Sequence, residues 1–275
     1  MLDDASELGG SDAVLYAVDA RTLTNVEASG ATPLPCQRRV CPQGDTDSAC
    51  LPDDNRAYWS MPIPAGAVQR GAANVIAIEG CWPTTLDTTA SNARCGADWT
   101  TAGGNLHVHV MTPSAPTIST PPQLHVQAAQ LSVALAQLAG DAGDAGAVIS
   151  FGMQDAGDAA AVIASLPGLD ALEPAYPVAL TLPPGLASYG TVGFAVDAPG
   201  ADGGGLHLWT SLAEAQRLVD PTQDPTQFFG GSQTYVVAVV GDPASADTTV
   251  GGASAGEALH LLVVPAAPAL DAGSE

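Results

Sequence analysis

Two imidazoles and a thioether stand at alternate positions in the stretch LHVHVMTP. Successive side chains of a β-strand point to opposite faces, so a strand here would place His107, His109 and Met111 on one face. Copper accepts both ligand types, and the pattern therefore raises the hypothesis of a copper site. The competing interpretation is a solvent-facing strand position, because the Leu-His pair recurs at His207 and His260.

The cysteines form the second group that could carry chemistry. All five precede residue 96, and they are Cys36, Cys41, Cys50, Cys81 and Cys95. No pair has C-x-x-C spacing and no His lies among them, which disfavours a redox motif or a zinc site. Disulfides fit better and indicate an oxidising compartment. We expect two bridges, Cys81–Cys95 and one within the first three cysteines, with one Cys left over. Five reduced, buried thiols in a cytosolic protein are the alternative.

The acidic turn at residues 45–54 offers hard oxygen ligands for calcium, namely Asp45, Asp47, Asp53 and Asp54. It departs from the EF-hand pattern, because the sixth position is Cys50 rather than Gly and the twelfth is Arg56. We therefore expect an acidic turn held by a disulfide, and no calcium or other cofactor.

Three tryptophans, Trp59, Trp82 and Trp99, lie near the cysteines in the sequence. Exposed tryptophans could stack on sugar rings, which would indicate carbohydrate binding. Beside disulfides, tryptophan more often packs into the interior, and that is the structure we expect.

The segment GASAG at residues 252–256 matches the nucleophile elbow G-x-S-x-G, with Ser254 as the nucleophile. An elbow needs a strand before it, a helix after it and a His further along the chain. The run that follows reads as a strand and places His260 too near in sequence. We expect a flexible loop, no catalytic residues and no enzymatic activity.

The charge balance limits the partners. Seven basic residues, all of them Arg, face 29 acidic residues and give a net charge of −22. Such a surface repels phosphate backbones and anionic lipids, which disfavours nucleic acid and basic-patch membrane binding. The chain also has no apolar run long enough for a transmembrane segment. A protein or glycan at the cell surface, or copies of the chain itself, are the expected partners.

The elements that would position these residues read mainly as strands. Short runs rich in Val and Ile alternate with Gly, Pro and Asp turns, which is typical of antiparallel sheets and sandwiches. The runs VIAIEG and VVAVVG align without a gap, and a run containing Leu-His follows each. The sequence predicts a mainly β fold, with two antiparallel β-sandwich-like domains and one or two short helices.

The domain boundaries follow from composition. The first residues lack the charged-then-apolar pattern of a secretory signal, and a Pro/Ser/Thr-rich stretch divides a Cys-containing half from a Cys-free half. The expected parts are a flexible tether at 1–12, a Cys-containing β domain at 13–111, a linker at 112–122, a Cys-free β-sandwich domain at 123–268 and a tail at 269–275.

Helical signals are few. The segment at 211–219 has the capping-box spacing of Ser211 and Glu214 and stops before Pro221, which predicts a helix. The segment at 158–166 is a candidate for a second short helix. The segment LSVALAQL, at 131–138, fits both a strand and a helix face, and we favour a strand.

The second half resembles a known family. It contains LTLPPG, then GGSQTYVVAVVGDP and EALHLLVVPA, and the run Tyr235–Gly241 carries the match within residues 180–268. A fainter match lies at Pro64–Gly66. These motifs are similar to the DUF4397 family, β-sandwich domains of exported bacterial proteins. The resemblance implies a β-sandwich and no catalytic residues.

These observations lead to one expected function and one alternative. We expect a non-catalytic protein exported to the bacterial cell envelope or the extracellular space, which acts by surface binding or self-assembly. The alternative is a periplasmic copper-binding protein that uses His107, His109 and Met111.

Overall fold

The described part of the chain is mainly β, as the sequence predicts. The computed structural model describes residues 13–18, 58–69, 71–81, 95, 99–100, 104–116, 124–136, 149–155, 161–166, 173, 176–178, 189–199, 205–230, 233–241 and 259–268.

The described residues form mostly strands. The strands are β1 (Ala13–Val18), β2 (Tyr58–Ile63), β3 (Val75–Glu79), β4 (His107–Met111), β5 (Leu124–Gln130), β6 (Ile149–Asp155), β7 (Ala161–Leu166), β8 (Tyr176–Val178), β9 (Val192–Pro199), β10 (Gly205–Ser211), β11 (Gln233–Val240) and β12 (His260–Pro268). The helices labelled here are α1 (Leu212–Val219) and α2 (Pro225–Phe229).

Two hairpins and two four-stranded sheets contain these strands. The hairpins are β1–β2 and β3–β4. Sheet I has the order β10-β9-β6-β7, and sheet II has the order β12-β11-β5-β8. The pairs between described strands are antiparallel except for β5 with β11, which run parallel.

Sheets I and II enclose the main core as a sandwich. One face of each sheet contributes buried side chains, and α1 and α2 add theirs to the same cluster. An aromatic group within this core consists of Phe151, Phe194, Phe228, Phe229 and Tyr235. The Tyr235 hydroxyl donates a hydrogen bond to the Phe228 carbonyl, so its polar atom is satisfied inside the core.

The outer face of sheet II is also apolar, and the β3–β4 hairpin packs against it. Met111 of β4 forms a second buried cluster with Ala129 of β5 and with Val236 and Ala238 of β11. Strand β11 is therefore covered on both faces, which matches its nearly continuous apolar sequence.

Helix α1 confirms the predicted helix at 211–219 and the N-cap at Ser211. It begins after Ser211, whose hydroxyl accepts a hydrogen bond from the Glu214 amide at 3.1 Å, and it ends at Val219 before Pro221. The Arg217 guanidinium contacts the Glu214 carboxylate one turn earlier at 2.6 Å. Local capping and charge therefore define this helix as the sequence indicates.

Two expectations about local structure are wrong. The segment at 158–166, expected as a helix, contains strand β7, which pairs with β6. The segment at 131–138, expected as a strand, contains a helical turn at residues 133–136. Ser132 caps this turn by accepting a hydrogen bond from the Leu135 amide at 3.1 Å, a local interaction that outweighs the alternating pattern.

Residues 112–116 lie against sheet II. The Ser114 amide donates to the Gln127 side chain at 3.1 Å, and the Thr234 hydroxyl donates to the Ser114 carbonyl at 2.7 Å. Pro113 and Pro116 are buried. The start of the proposed linker is thus fixed to the sheet, and the division at 112–122 stays a prediction.

The described helices are short. None of them is long and apolar enough to cross a membrane.

Strands β9 and β10 approach each other closely at Gly193. A Cβ atom there would lie under 3.0 Å from the Thr210 carbonyl oxygen. We expect Gly193→Ala to lower the free energy of unfolding by about 1–3 kcal/mol, because the backbone must shift to admit the methyl group.

Gly205→Ala is the matched control, because a Cβ atom at Gly205 would meet nothing within 4 Å. Its effect should stay within about 0.5 kcal/mol. Urea denaturation measures both variants, and equal transition midpoints would contradict the prediction for Gly193.

Candidate functional site

A cleft of about 940 Å³ lies between the β3–β4 hairpin and the outer face of sheet II. Strand β3 forms one side of it and strands β11 and β12 form the floor. The turn at residues 131–134 and the cysteine pair Cys81 and Cys95 also line it. The cleft is mostly apolar with a few polar groups, which is the usual character of a ligand site.

The floor consists of outward-facing side chains of two adjacent strands. Strand β11 contributes Val236, Ala238 and Val240, and strand β12 contributes Leu262 and Val264. The register pairs Val236 with Val264 and Ala238 with Leu262, so they form cross-strand pairs on one face. Sequence reasoning missed this surface. The unbroken apolar run of β11 was the available signal, because such a run indicates burial on both faces.

Asn74 fixes the end of the cleft where β3 begins. Its side-chain oxygen accepts from the Gln69 amide at 3.0 Å, and its side-chain nitrogen donates to the carbonyls of Gln69 at 3.0 Å and Ala72 at 2.9 Å. The Thr112 hydroxyl approaches the same oxygen at 3.4 Å. This network sets the turn before β3 and joins it to the end of β4.

Asn105 fixes the opposite end of β3. Its side-chain oxygen accepts from the Cys81 amide at 2.8 Å, its side-chain nitrogen donates to the Cys95 carbonyl at 2.5 Å, and its own amide donates to the Cys81 carbonyl at 3.0 Å. Gly80 lies against it with φ +95°, and any Cβ atom there would collide with the Asn105 backbone. The site therefore requires Gly beside a buried Asn.

The predicted disulfide Cys81–Cys95 is confirmed. The two sulfur atoms are 1.98 Å apart and the two Cα atoms 5.4 Å apart. The bridge closes a short loop beside Asn105 and holds the end of β3 in place. The other predicted bridge, within Cys36, Cys41 and Cys50, lies outside the described residues.

The turn at residues 131–134 is held by buried polar groups. The Gln130 side chain accepts from the Ser132 amide at 3.0 Å and donates to the Ser132 carbonyl at 2.7 Å. The Ser132 hydroxyl donates to the Gly241 carbonyl at 2.6 Å, and the Leu131 amide donates to the Val239 carbonyl at 2.9 Å. The turn at residues 131–134 is therefore joined to the end of β11, and this side of the cleft is preformed.

Glu79 is the acidic side chain that lines the cleft among the described residues. Its Oε1 atom lies 2.6 Å from Nε2 of His109, and only 4% of its side chain is exposed. A buried carboxylate is normally compensated by close polar partners, and this contact supplies one.

The three candidate copper ligands do lie on one face of β4. The register pairs His107 with Glu79, His109 with Ala77 and Met111 with Val75. His107 is exposed, whereas Met111 is buried among apolar side chains. Within the described residues, no group of three or more His, Cys, Asp and Glu side chains could hold a metal ion.

Each histidine of the recurring Leu-His pairs lies in the second strand of an antiparallel pair, where His107 and His260 begin the strand and His207 is its third residue. His107 lies opposite Glu79, His207 opposite Asp197 and His260 opposite Val240, each in the strand that precedes it. The Nδ1 atom of His207 lies 2.7 Å from Oδ1 of Asp197. The repetition predicted from the sequence thus corresponds to a repeated strand pairing.

The remaining candidates fall into two groups. Trp99 is buried, which agrees with packing and leaves it unable to stack on a sugar. His260 begins strand β12, as the sequence predicts. The others lie outside the described residues: Trp82, Ser254, the acidic turn at 45–54 and the side chain of Trp59.

Comparison with protein-family models, curated proteins and solved structures found no match. The resemblance of residues 180–268 to the DUF4397 family stays a prediction, carried by the run Tyr235–Gly241.

The outer face of sheet II also carries His125. This residue lies on β5 beside Thr234 of β11, and desolvation by burial lowers the pKa of its imidazole. Two exposed carboxylates are shifted as well. Hydrogen bonds from Thr222 and Thr226 lower the pKa values of Asp220 and Asp224, so these groups stay ionised through the range in which histidine titrates.

The lowered pKa of His125 predicts a pH dependence. The folded protein binds this proton less readily than the unfolded chain, so stability is full above pH about 6.5 and falls as the pH drops toward the folded pKa. We expect His125→Gln to lose less stability than the wild type between pH about 7.5 and about 5.5. Urea denaturation at several pH values measures the loss, and an equal loss in both proteins would contradict the prediction.

Proposed function

We propose that this chain is a non-catalytic binding protein of the bacterial cell envelope or extracellular space, and that the cleft between β3 and sheet II is its binding site. The observation that carries the proposal is the cleft of about 940 Å³, with an apolar floor and ends held by the side-chain hydrogen bonds of Asn74 and Asn105. Preformed, mostly apolar concavities of this size are the usual form of a ligand site.

The side chains in the cleft favour binding over catalysis. The described lining residues include one acidic group, Glu79, which contacts His109. The Ser132 hydroxyl is held by the Gly241 carbonyl and the Leu135 amide, and the two cysteines are joined in a disulfide. A nucleophile, a base and an orienting group do not converge among these residues, and catalysis needs such a set.

One observation supports export, and another limits the class of partner. The Cys81–Cys95 disulfide fits an oxidising compartment better than a reducing one. The net charge of −22 disfavours nucleic acid as the partner and leaves proteins, glycans or small apolar groups.

A neutral apolar dye, Nile red, tests the binding site. We expect the folded protein to bind the dye with a rise in fluorescence, because the floor of the cleft is apolar. Leu262→Asp places a charge on this floor and should weaken binding about tenfold or more.

Leu218→Asp is the matched control, because Leu218 is exposed on α1 away from the cleft. It should bind the dye as the wild type does, and thermal unfolding establishes that both variants are folded. Equal dye binding by the two variants would refute the cleft as the site.

A second candidate function is copper binding at the hairpin. The register places His107 and His109 on one face of the hairpin, although no three His, Cys, Asp or Glu side chains of the described residues form a metal site. The burial of Met111 speaks against a thioether ligand, so two imidazoles would carry most of the affinity.

Titration with Cu(II) and Cu(I) tests this candidate. If the hairpin is a copper site, the wild-type protein binds copper stoichiometrically and the double variant His107→Ala/His109→Ala does not bind copper. His207→Ala is the control, because His207 also lies exposed on a strand opposite an acidic residue. Binding that survives in the double variant would exclude the hairpin as the site.

A further inference from the structure

The cleft runs along the backbone edge of β3. Every residue from Asn74 to Cys81 lines it in unbroken order. Side chains of a strand alternate between faces, so a cleft over one face would contact every second residue. An unbroken run indicates that the cleft lies beside the strand and meets its backbone.

Strand β3 has one neighbour among the described strands. It pairs with β4 over five residues, Val75–Glu79, and the described residues place no other strand at its second edge. Such an edge presents backbone donors and acceptors in a row and is a template for another strand. Five residues give an edge of about 16 Å.

The floor beside this edge fits an extended segment. A strand added to β3 would point every second side chain down to the partly exposed floor, at Val240, Leu262 and Val264. Its other side chains would lie beside Ile76 and Ile78. Ile78 is 49% exposed, and it is one of two large apolar side chains with such exposure among the described residues.

The net charge of the protein favours some ligands of the cleft over others. A second copy would bring together two chains of −22 each, which repel one another at low ionic strength. An extended segment that carries Lys or Arg is attracted instead. A small apolar molecule would fill the floor without using the backbone edge.

We propose that the cleft accepts an extended basic segment of another protein by strand addition to β3, with alternate apolar side chains on the floor of sheet II. This inference rests on the proposed binding function and names the class of partner. Main-chain hydrogen bonds to β3 supply part of the affinity and the floor selects the alternating apolar side chains.

A designed peptide tests the proposal. The probe alternates Val with Thr and carries Arg at both ends. In two further versions every second amide is N-methylated: the odd-numbered amides in one version and the even-numbered amides in the other. We expect the parent peptide to bind. One of the two methylated peptides should bind about tenfold more weakly, because only one edge of the peptide faces β3. The other methylated peptide should bind as tightly as the parent peptide. Equal binding of all three peptides would overturn the proposal.

Hydrogen exchange supplies the structural readout. The parent peptide should slow amide exchange at alternate residues of β3, those whose N–H groups face away from β4, and should displace Nile red. A peptide with Glu in place of Arg should bind about tenfold more weakly at low salt, with the difference shrinking as salt is added. Unchanged exchange in β3 with the peptide bound would overturn strand addition.

The outcomes separate this inference from the proposed function. If Leu262→Asp weakens binding of Nile red but no peptide slows exchange in β3, strand addition is wrong and the apolar binding site stands. If the protein dimerises in light scattering and β3 is protected without peptide, the occupant is a second copy and the proposal is wrong. If neither dye nor peptide binds, both are wrong.

Discussion

The structure depends on the burial of sheet II from both sides. Strand β11 has buried side chains on both faces from Thr234 to Val239, so its inner face needs sheet I and its outer face needs a second cover. A sheet buried on both sides cannot leave its outer apolar face open to water without losing the free energy of that burial. The β3–β4 hairpin covers part of this face through Met111. The part that it leaves partly exposed, at Val240, Leu262 and Val264, is the accessible part of the floor of the cleft.

The hairpin packs on sheet II through the apolar cluster around Met111, and polar groups at its two ends fix the shape of the hairpin itself. Asn74 satisfies backbone groups of the turn before β3, the buried Asn105 satisfies backbone groups of Cys81 and Cys95, and the Cys81–Cys95 disulfide closes the loop beside Asn105. Such groups are costly to bury unless every donor and acceptor is paired, so they specify one arrangement. Gly80 is part of the same constraint, because its positive φ and its contact with Asn105 admit no side chain. The cleft is thus preformed by directional interactions.

Local signals predicted the elements whose structure is determined locally. The Ser211 cap of α1, the strands that end at Gly80 and Gly241, and the Cys81–Cys95 pair all depend on short spacings along the chain. The prediction of a helix at 158–166 was wrong, because pairing of β7 with β6 overrides the helical composition of this segment. The parallel pairing of β5 with β11 and the placement of the hairpin on sheet II depend on contacts between distant segments, which no spacing encodes.

The same distinction explains why the candidate site escaped the motif search. A motif is recognised by titratable or metal-binding side chains, and the contacts of His109 with Glu79 and of His207 with Asp197 each join the two strands of an antiparallel pair. The exposed pair of His207 and Asp197 contributes at most about 1 kcal/mol to stability and does not line the cleft. The cleft, in contrast, consists of a backbone edge and an apolar face. Backbone groups are the same for every sequence, so such a site becomes visible only when the fold places an unpaired edge beside an uncovered apolar floor.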